Sequence, residues 1–311
     1  MQASGVDYQG GDTVALGGHI AQVGVRHARS RRWHLLRTYT PVGLGLGVVG
    51  ALILVALVAP WISPHDPSVQ YTSAVLHGPG QRYFLGSDMF GRDLFSRLIW
   101  GTRISLQVGL GAVVVGFVLG VPLGLLAGYV EGKTEAVIMR GTDLLLAFPL
   151  LLLALIIVTA LGGALINEIL AIGIGLIPNF IRVARSLVLS LKANEYVMAG
   201  RAAGGGSLHI MIRHLFPNMI STLVVVASLY VATAIRTEAG LSFLGLGVPP
   251  PAPSWGNILS EGREYIKCCP WLTAFSGLAI MIAVLAFNVV GDALRDLLDP
   301  RLRGEGASGT S

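Results

Sequence analysis

The sequence predicts an all-α protein that crosses a membrane six times, with both ends of the chain on the same side. Three observations lead there. Only 13% of the 311 residues are charged, about half the roughly 25% of soluble domains, and the mean hydropathy is +0.69. The apolar residues fall in blocks near the ~20 residues that cross a bilayer as a helix. The basic residues flank these blocks unevenly, fifteen on one set of connections and seven on the other, which sets orientation by the positive-inside rule.

The first 40 residues form a tail whose Gly-rich start predicts disorder. Its basic part, Arg26, Arg29, Arg31, Arg32 and Arg37, suits anionic headgroups. It shows no apolar core followed by a small-residue cleavage site, so the block after it is expected to remain as a helix. The membrane domain occupies 41–303, with spans at about 42–62, 104–130, 144–161, 166–181, 217–235 and 272–290, and 304–311 is a flexible end. Unpaired backbone groups are costly in lipid, so each span is helical. An inside N-terminus places Lys133, Arg140 and the loop 182–216 inside and the connections 63–103 and 236–271 outside. Trp255 and Trp271 suit the headgroup region on that outer side.

In the second span Ala112, Gly116, Gly120, Gly124 and Gly128 recur every four residues. They share one helical face and let a neighbouring helix approach closely, so they are read as packing rather than pore lining. Pro122 predicts a kink, because its ring removes a backbone hydrogen bond. Only two cysteines occur, Cys268 and Cys269, too few for a disulfide framework and without zinc-site spacing. His209 and His214 are read as contacts or caps rather than metal ligands, and Asp292, Asp296 and Asp299 as a solvated, salt-bridged stretch. Charge and aromatics do not interleave, so nucleic acid is not an expected partner; membrane lipid is.

The inner loop 182–216 is too long for a turn. Asn194 can cap a short helix over Glu195-Tyr196-Val197-Met198-Ala199-Gly200-Arg201-Ala202-Ala203, the run Gly204-Gly205-Gly206 ends it, and Ser207 can cap a second. Two short helices at an angle, with small residues at the bend, suit close docking into a groove. The arrangement resembles the coupling loop of bacterial ABC importers, in which Glu-Ala-Ala, three residues, Gly, nine residues and a hydrophobic–x–Leu–Pro ending contact the ATPase. Met198-Ala199-Gly200 stands at Glu-Ala-Ala, Gly204 at the glycine, and His214-Leu215-Phe216-Pro217 at the ending. Met198 replaces the acidic residue, so a salt bridge from that position cannot form, and Gly200 weakens the helix by roughly 0.5–1 kcal/mol against alanine.

Further stretches are similar to the C-type permease of dipeptide, oligopeptide and nickel importers. One is Leu85-Gly86-Ser87-Asp88-Met89-Phe90-Gly91-Arg92-Asp93-Leu94-Phe95-Ser96-Arg97, continued by Gly101-Thr102-Arg103-Ile104-Ser105-Leu106. Another is Glu238-Ala239-Gly240-Leu241-Ser242-Phe243-Leu244-Gly245-Leu246-Gly247-Val248, with Pro253-Ser254-Trp255-Gly256 after it. A third closes the chain, from Asn288 through Gly291-Asp292 to Asp299-Pro300-Arg301-Leu302. The resemblance covers about 41–303 and implies a type I ABC-importer transmembrane domain in a bacterial inner membrane, importing di- or oligopeptides, or nickel or another small solute. It also implies the partners: a homologous second permease, two ATPase subunits that bind ATP and Mg, and an extracytoplasmic substrate-binding protein. Glu195, Met198, Ala199, Gly200, Arg201, Ala203, Gly204, His214 and Pro217 become the expected ATPase-coupling residues. Asp88, Arg92, Asp93, Arg97, Arg103, Glu238 and Trp255 become candidates for the outer face and the binding protein, with a salt-bridged interfacial helix as the plainer reading.

The chain itself is expected to be no enzyme. It has no Gly-Lys-Ser or Gly-Lys-Thr phosphate loop, and no intramembrane Ser/His/Asp or metal-spaced set beyond a lone Asp143. A secondary transporter or channel would carry charges in mid-span, and none is expected in the six blocks.

Overall fold

The computed structural model describes residues 42–298, and residues from Gly45 onward form one compact unit. The predicted tails, 1–40 and 304–311, and the closing Asp299-Pro300-Arg301-Leu302 lie outside the described residues. Among the described residues every regular element is helical, apart from one isolated antiparallel bridge between Ser87 and Asp93. Five helices are long and apolar enough to cross a membrane, or six spans if a bent pair counts as one.

The first span, α1, is Val42–Ile62, as expected. A non-helical stretch follows, broken only by a 3-10 turn at Thr72–Ala74. Helix α2 then runs from Leu94 to Val130, ten residues earlier than predicted. The early start has a local cause: the Asp93 carboxylate accepts the Ser96 N–H at 3.0 Å and caps the helix. Charged Arg97 and Arg103, read in sequence as loop, are helical. At ~1.5 Å per residue, α2 is roughly 55 Å long, well beyond the ~30 Å hydrocarbon core. It runs as one helix through Pro122.

The predicted third span is two helices, α3 (Gly132–Leu146) and α4 (Leu150–Leu161), bent by 88°. The apolar run 144–161 continues across the break, so hydropathy does not reveal it. The cause is Pro149, which lacks an N–H, disfavours helix at the residue before it, and itself has a non-helical ψ of 137°. Helix α5 extends from Leu165 to Leu191, past its predicted end at Ile181. Its added turns are held by charge: Arg182 pairs with Asp143 at 2.7 Å, and the Arg185 Nε donates to Glu135 at 2.8 Å, both on α3.

The α2–α5 contact is the axis of the core. A Cβ placed on Gly116, Gly120 or Gly128 would lie 2.9 Å from Leu176 Cβ, 2.7 Å from Phe180 Cβ and 2.7 Å from Val188 Cβ respectively. The small-residue stripe is packing, as the sequence indicated, and α5 is the neighbour it admits. Helix α6 is Glu195–Ala202. The predicted second short helix is instead the base of a long one, α7, Ser207–Phe243. A π turn at Ile210–Leu215 keeps α7 continuous into Pro217. There the Phe216 N–H bonds the Met211 carbonyl, and the Asn218 side-chain amide takes the His214 carbonyl at 2.6 Å. Pro217 cannot donate an α-helical bond, and the wider turn accommodates the gap. Beyond α7, the short α8 (Trp255–Gly262) precedes α9 (Trp271–Leu298), which is longer than the predicted 272–290. Asp292 and Asp296 sit exposed on α9, and neither has an ion-pair partner among the described residues.

Candidate functional site

Two polar assemblies lie at opposite ends of α2. At its C-terminal end, α6 is a short, exposed helix with a defined stop. The Asn194 carbonyl accepts the N–H groups of Val197 and Met198 at 3.0 and 3.2 Å. At the other terminus the Gly205 N–H bonds the Gly200 carbonyl and the Gly204 N–H bonds the Arg201 carbonyl, both at 3.0 Å. This is the Schellman pattern, which needs a left-handed residue after the cap, and Gly204 supplies it with φ +83°. A Cβ on Gly204 would meet nothing within 4 Å of its own chain, so backbone conformation alone requires the glycine within this chain.

The inner face of α6 is anchored by Val197, fully buried in the same apolar cluster as Ile210 of α7. Gly200, where the importer motif has alanine, lies tight on α7: a Cβ there would stand 3.0 Å from Ile210 Cδ1 and 3.3 Å from His214 Nε2. The outer face carries exposed Glu195, Tyr196, Met198, Ala199, Arg201 and Ala203, continued by Leu208 and Ile212 of α7. Arg201 also turns back to α2, its guanidinium carbon 4.9 Å from the Tyr129 ring centre. Nearby, Lys192 pairs with Glu131 at the α2–α3 corner. The hydrogen bond from Lys192 holds the Glu131 carboxyl below the usual carboxylate range, and Arg201 adds to it. His209 and His214 lie edge-on, ring centres 5.6 Å apart, and among the described residues no group of three metal-ligating side chains forms.

At the other end of α2, charges are gathered inside the fold. Arg92 bonds Asp88 Oδ2 at 2.6 Å and Glu261 of α8 at 2.8 Å. Arg97 pairs with the same Asp88 and reaches Glu261 at 2.6 and 3.2 Å. The second Asp88 oxygen accepts the N–H groups of Phe90 and Arg92. Deeper in, Glu238 of α7 accepts hydroxyls from Ser105 of α2 at 3.1 Å and Ser242 at 3.0 Å. Ser254 lies 3.3 Å from Ser242 and caps α8 through the Asn257 N–H at 3.1 Å. The Trp255 indole N–H donates to the Leu98 carbonyl at 3.1 Å. The connections at this end of the fold are therefore stapled to α2 by side chains of the motifs singled out in the sequence.

The comparisons with known proteins agree with this layout. The family described as "Binding-protein-dependent transport system inner membrane component" matches residues 120–304, and the "N-terminal TM domain of oligopeptide transport permease C" matches 32–79. The chain belongs to the binding-protein-dependent transport permeases. The di/tripeptide transport system permease protein DppC of Pseudomonas aeruginosa is 45% identical over 265 residues, 83% of this chain and 88% of that protein. The glutathione transport system permease protein GsiD of Pectobacterium atrosepticum is 43% identical over 269 residues, 86% of this chain and 89% of that one. Among solved structures, a chain of the MetNI methionine ABC transporter, in inward-facing conformations, is alike in fold, with a TM-score of 0.53 at 20% identity. That match covers 65% of this chain and 97% of the other. The permease is a multi-pass protein of the bacterial inner membrane.

The predicted outer-contact set fares differently from the α6 set. Asp88, Arg92, Asp93, Arg97, Glu238 and Trp255 are all buried in the permease, at 2% exposure or less, so they form no contact surface in this chain. Their charges compensate one another or meet hydroxyls, which sequence order alone does not display. Arg103 is exposed, its guanidinium carbon 5.8 Å from the Trp100 ring centre. Sequence reasoning missed Glu261, whose partners lie more than 160 residues away. It also missed Glu168, a buried carboxyl in the first turn of α5, where no charge was expected. Glu168 stands at the edge of an apolar block, and that position was the available signal.

Proposed function

We propose that this permease is one half of the translocation pathway of an ATP-driven importer of di- or oligopeptides, and that α6 is the coupling helix on which an ATPase subunit docks. The observation that carries this is α6 itself, a short helix with a rigid stop and an exposed apolar face. It sits between two spans, in a chain whose relatives are named for di/tripeptide and glutathione transport. The basic residues near α6 orient this end to the cytoplasm, with both chain termini on the same side. The chain supplies no ATPase site of its own. Two partner ATPases bind ATP and Mg, a homologous second permease completes the pathway, and a substrate-binding protein delivers peptide from outside. Closure of the ATPase pair shifts the bundle between two arrangements through α6.

Gly204→Asp would disturb the Schellman stop as well as any docking, because φ is +83° there. Met198→Lys is the cleaner probe, since Met198 is 53% exposed and a cation there opposes the acidic residue of the coupling motif. Tagged wild-type chain purified from native membranes is expected to bring down ATPase subunits and a second permease. Met198→Lys is expected to keep the second permease and lose the ATPases. Wild type arriving without ATPases would overturn the coupling assignment.

A further inference from the structure

Glu168 is 1% exposed, and neither oxygen of its carboxyl has a hydrogen-bond partner. The backbone N–H of Val248, in the loop after α7, faces it without reaching hydrogen-bond geometry. The charged side chain that acts on it is a second acid, Glu238. Glu238 is fully buried, and its two oxygens are met by the Ser105 and Ser242 hydroxyls. Among the described residues neither carboxyl has a cationic partner.

The rest of this end of the fold behaves in the opposite way. Buried Asp88 is matched by Arg92 and Arg97, and both arginines reach Glu261. Nor is the chain short of cations here. Arg103 and Arg236, each two residues from a member of the hydroxyl-lined group, are exposed and make no ion pair. A buried polar group without a partner is costly, and an unpaired acid more so. In native structures such a group asks for a specific explanation, and inside a membrane domain an ionisable side chain points to function.

The donor set narrows the ligand. A divalent metal takes six or more oxygens, or several imidazoles and thiolates. Among the described residues no group of three His, Cys, Asp or Glu assembles. Both Glu238 oxygens already accept hydrogen bonds. A primary ammonium, with three N–H donors and no acceptor, matches two free carboxylate oxygens within the field of a second buried carboxylate. We propose that Glu168 and Glu238 form a site that receives a primary ammonium of the transported solute, the α-amino group when the solute is a peptide. This deepens the peptide-import reading and rests on it.

The test uses the assembled transporter with its second permease, ATPases and binding protein, comparing wild type with Glu168→Gln. Two quantities are read: the thermal midpoint of the purified complex, and equilibrium binding of tri-alanine and N-acetyl-tri-alanine to the complex without the binding protein. A group held unpaired for a ligand is a strain in the free protein. Glu168→Gln is therefore expected to raise the midpoint by about 2–4 °C while weakening tri-alanine binding tenfold or more. The acetylated peptide is expected to bind weakly to both forms. Wild-type affinity in Glu168→Gln would overturn the proposal, because the carboxyl would then only fill space. A lowered midpoint, or loss of the second permease, would overturn it too, by giving Glu168 a structural partner in the assembly. If wild type neither binds nor imports tri-alanine, the peptide reading itself fails and this site fails with it.

Discussion

The stripe on α2 allows the same substitution to be given opposite signs at two glycines. A Cβ on Gly124 would lie 2.5 Å from the Ile181 carbonyl oxygen and 2.7 Å from Ala184 Cβ, whereas one on Gly141 in α3 meets nothing within 4 Å. Both residues are inside helices, so Gly→Ala brings each about 0.5–1 kcal/mol of backbone preference. At Gly124 the obstacle is main chain, which cannot rotate away. The helices must part by roughly 0.9 Å to restore ordinary contact at 3.4 Å. Overpacking of this kind costs about 1–3 kcal/mol, so Gly124→Ala is expected to be destabilising by about 1–2 kcal/mol net. Gly141→Ala is expected to gain about 0.5–1 kcal/mol. The purified complex is heated in steps and the fraction surviving as a single size-exclusion peak is followed for each form. At about 2–4 °C per kcal/mol, the two variants should fall on opposite sides of wild type. Shifts in the same direction, or a neutral Gly124→Ala, would refute the claim that the stripe exists for close approach to α5.

Three other perturbations test the assemblies at the ends of α2. Arg97→Gln leaves Asp88 and Glu261 to share Arg92 alone and should cost about 1.5–3 kcal/mol, read as lost yield and a lowered thermal midpoint; wild-type stability would mean Arg97 adds nothing to the network. Arg201→Ala and Tyr129→Ala, measured singly and together, should show a coupling of about 0.5–1 kcal/mol in stability; strict additivity would deny their contact. Glu131 lies below its ordinary pKa because of Lys192, so the stabilisation is present above the ordinary carboxylate value and fades as pH falls through the depressed one. Lys192→Met should therefore sit below wild type by a constant margin from about pH 5 to 8, converging with it only in more acidic buffer.

What the sequence revealed and what it hid divide along physical lines. Apolar length located α1, and four-residue spacing identified the stripe, because both are periodic properties of a single helix. Gly204 marked the end of α6 because its left-handed stop is a local property; Asn194 stands at the N-cap position, though its side chain makes no capping bond. The errors came where polarity was taken for loop. Arg97, Arg182 and Arg185 lie on helices that outrun the apolar core, each neutralised by an acid on another element. The break at Pro149 was hidden by the leucines on both sides of it. The burial of Arg92, Asp93 and Glu238 was not legible because their partners, or the elements that cover them, are distant in sequence. Glu238 is the clearest case: its hydroxyl donor Ser105 is 133 residues away.

Helix α2, like α7, reaches both assemblies, and the stripe determines how it can move. Sliding it along α5 by one residue, about 1.5 Å, would carry Gly120 and Gly124 off the Phe180 and Ile181 contacts and bring larger neighbours onto them. Close-packed interfaces of this kind switch between arrangements and do not deform continuously. A displacement at α6 would reach α2 through Arg201 on Tyr129 and α7 through Gly200 on Ile210, and α2 would carry α5 with it. It cannot be absorbed by slip between them. Among the described residues, two breaks from continuous α-helix lie outside the interlocked pair and are places for relative motion: the π turn at Ile210–Leu215 and the bend between α3 and α4. Both flank the interlocked pair, and both exist because a proline, Pro217 or Pro149, withholds an N–H that a straight helix would need.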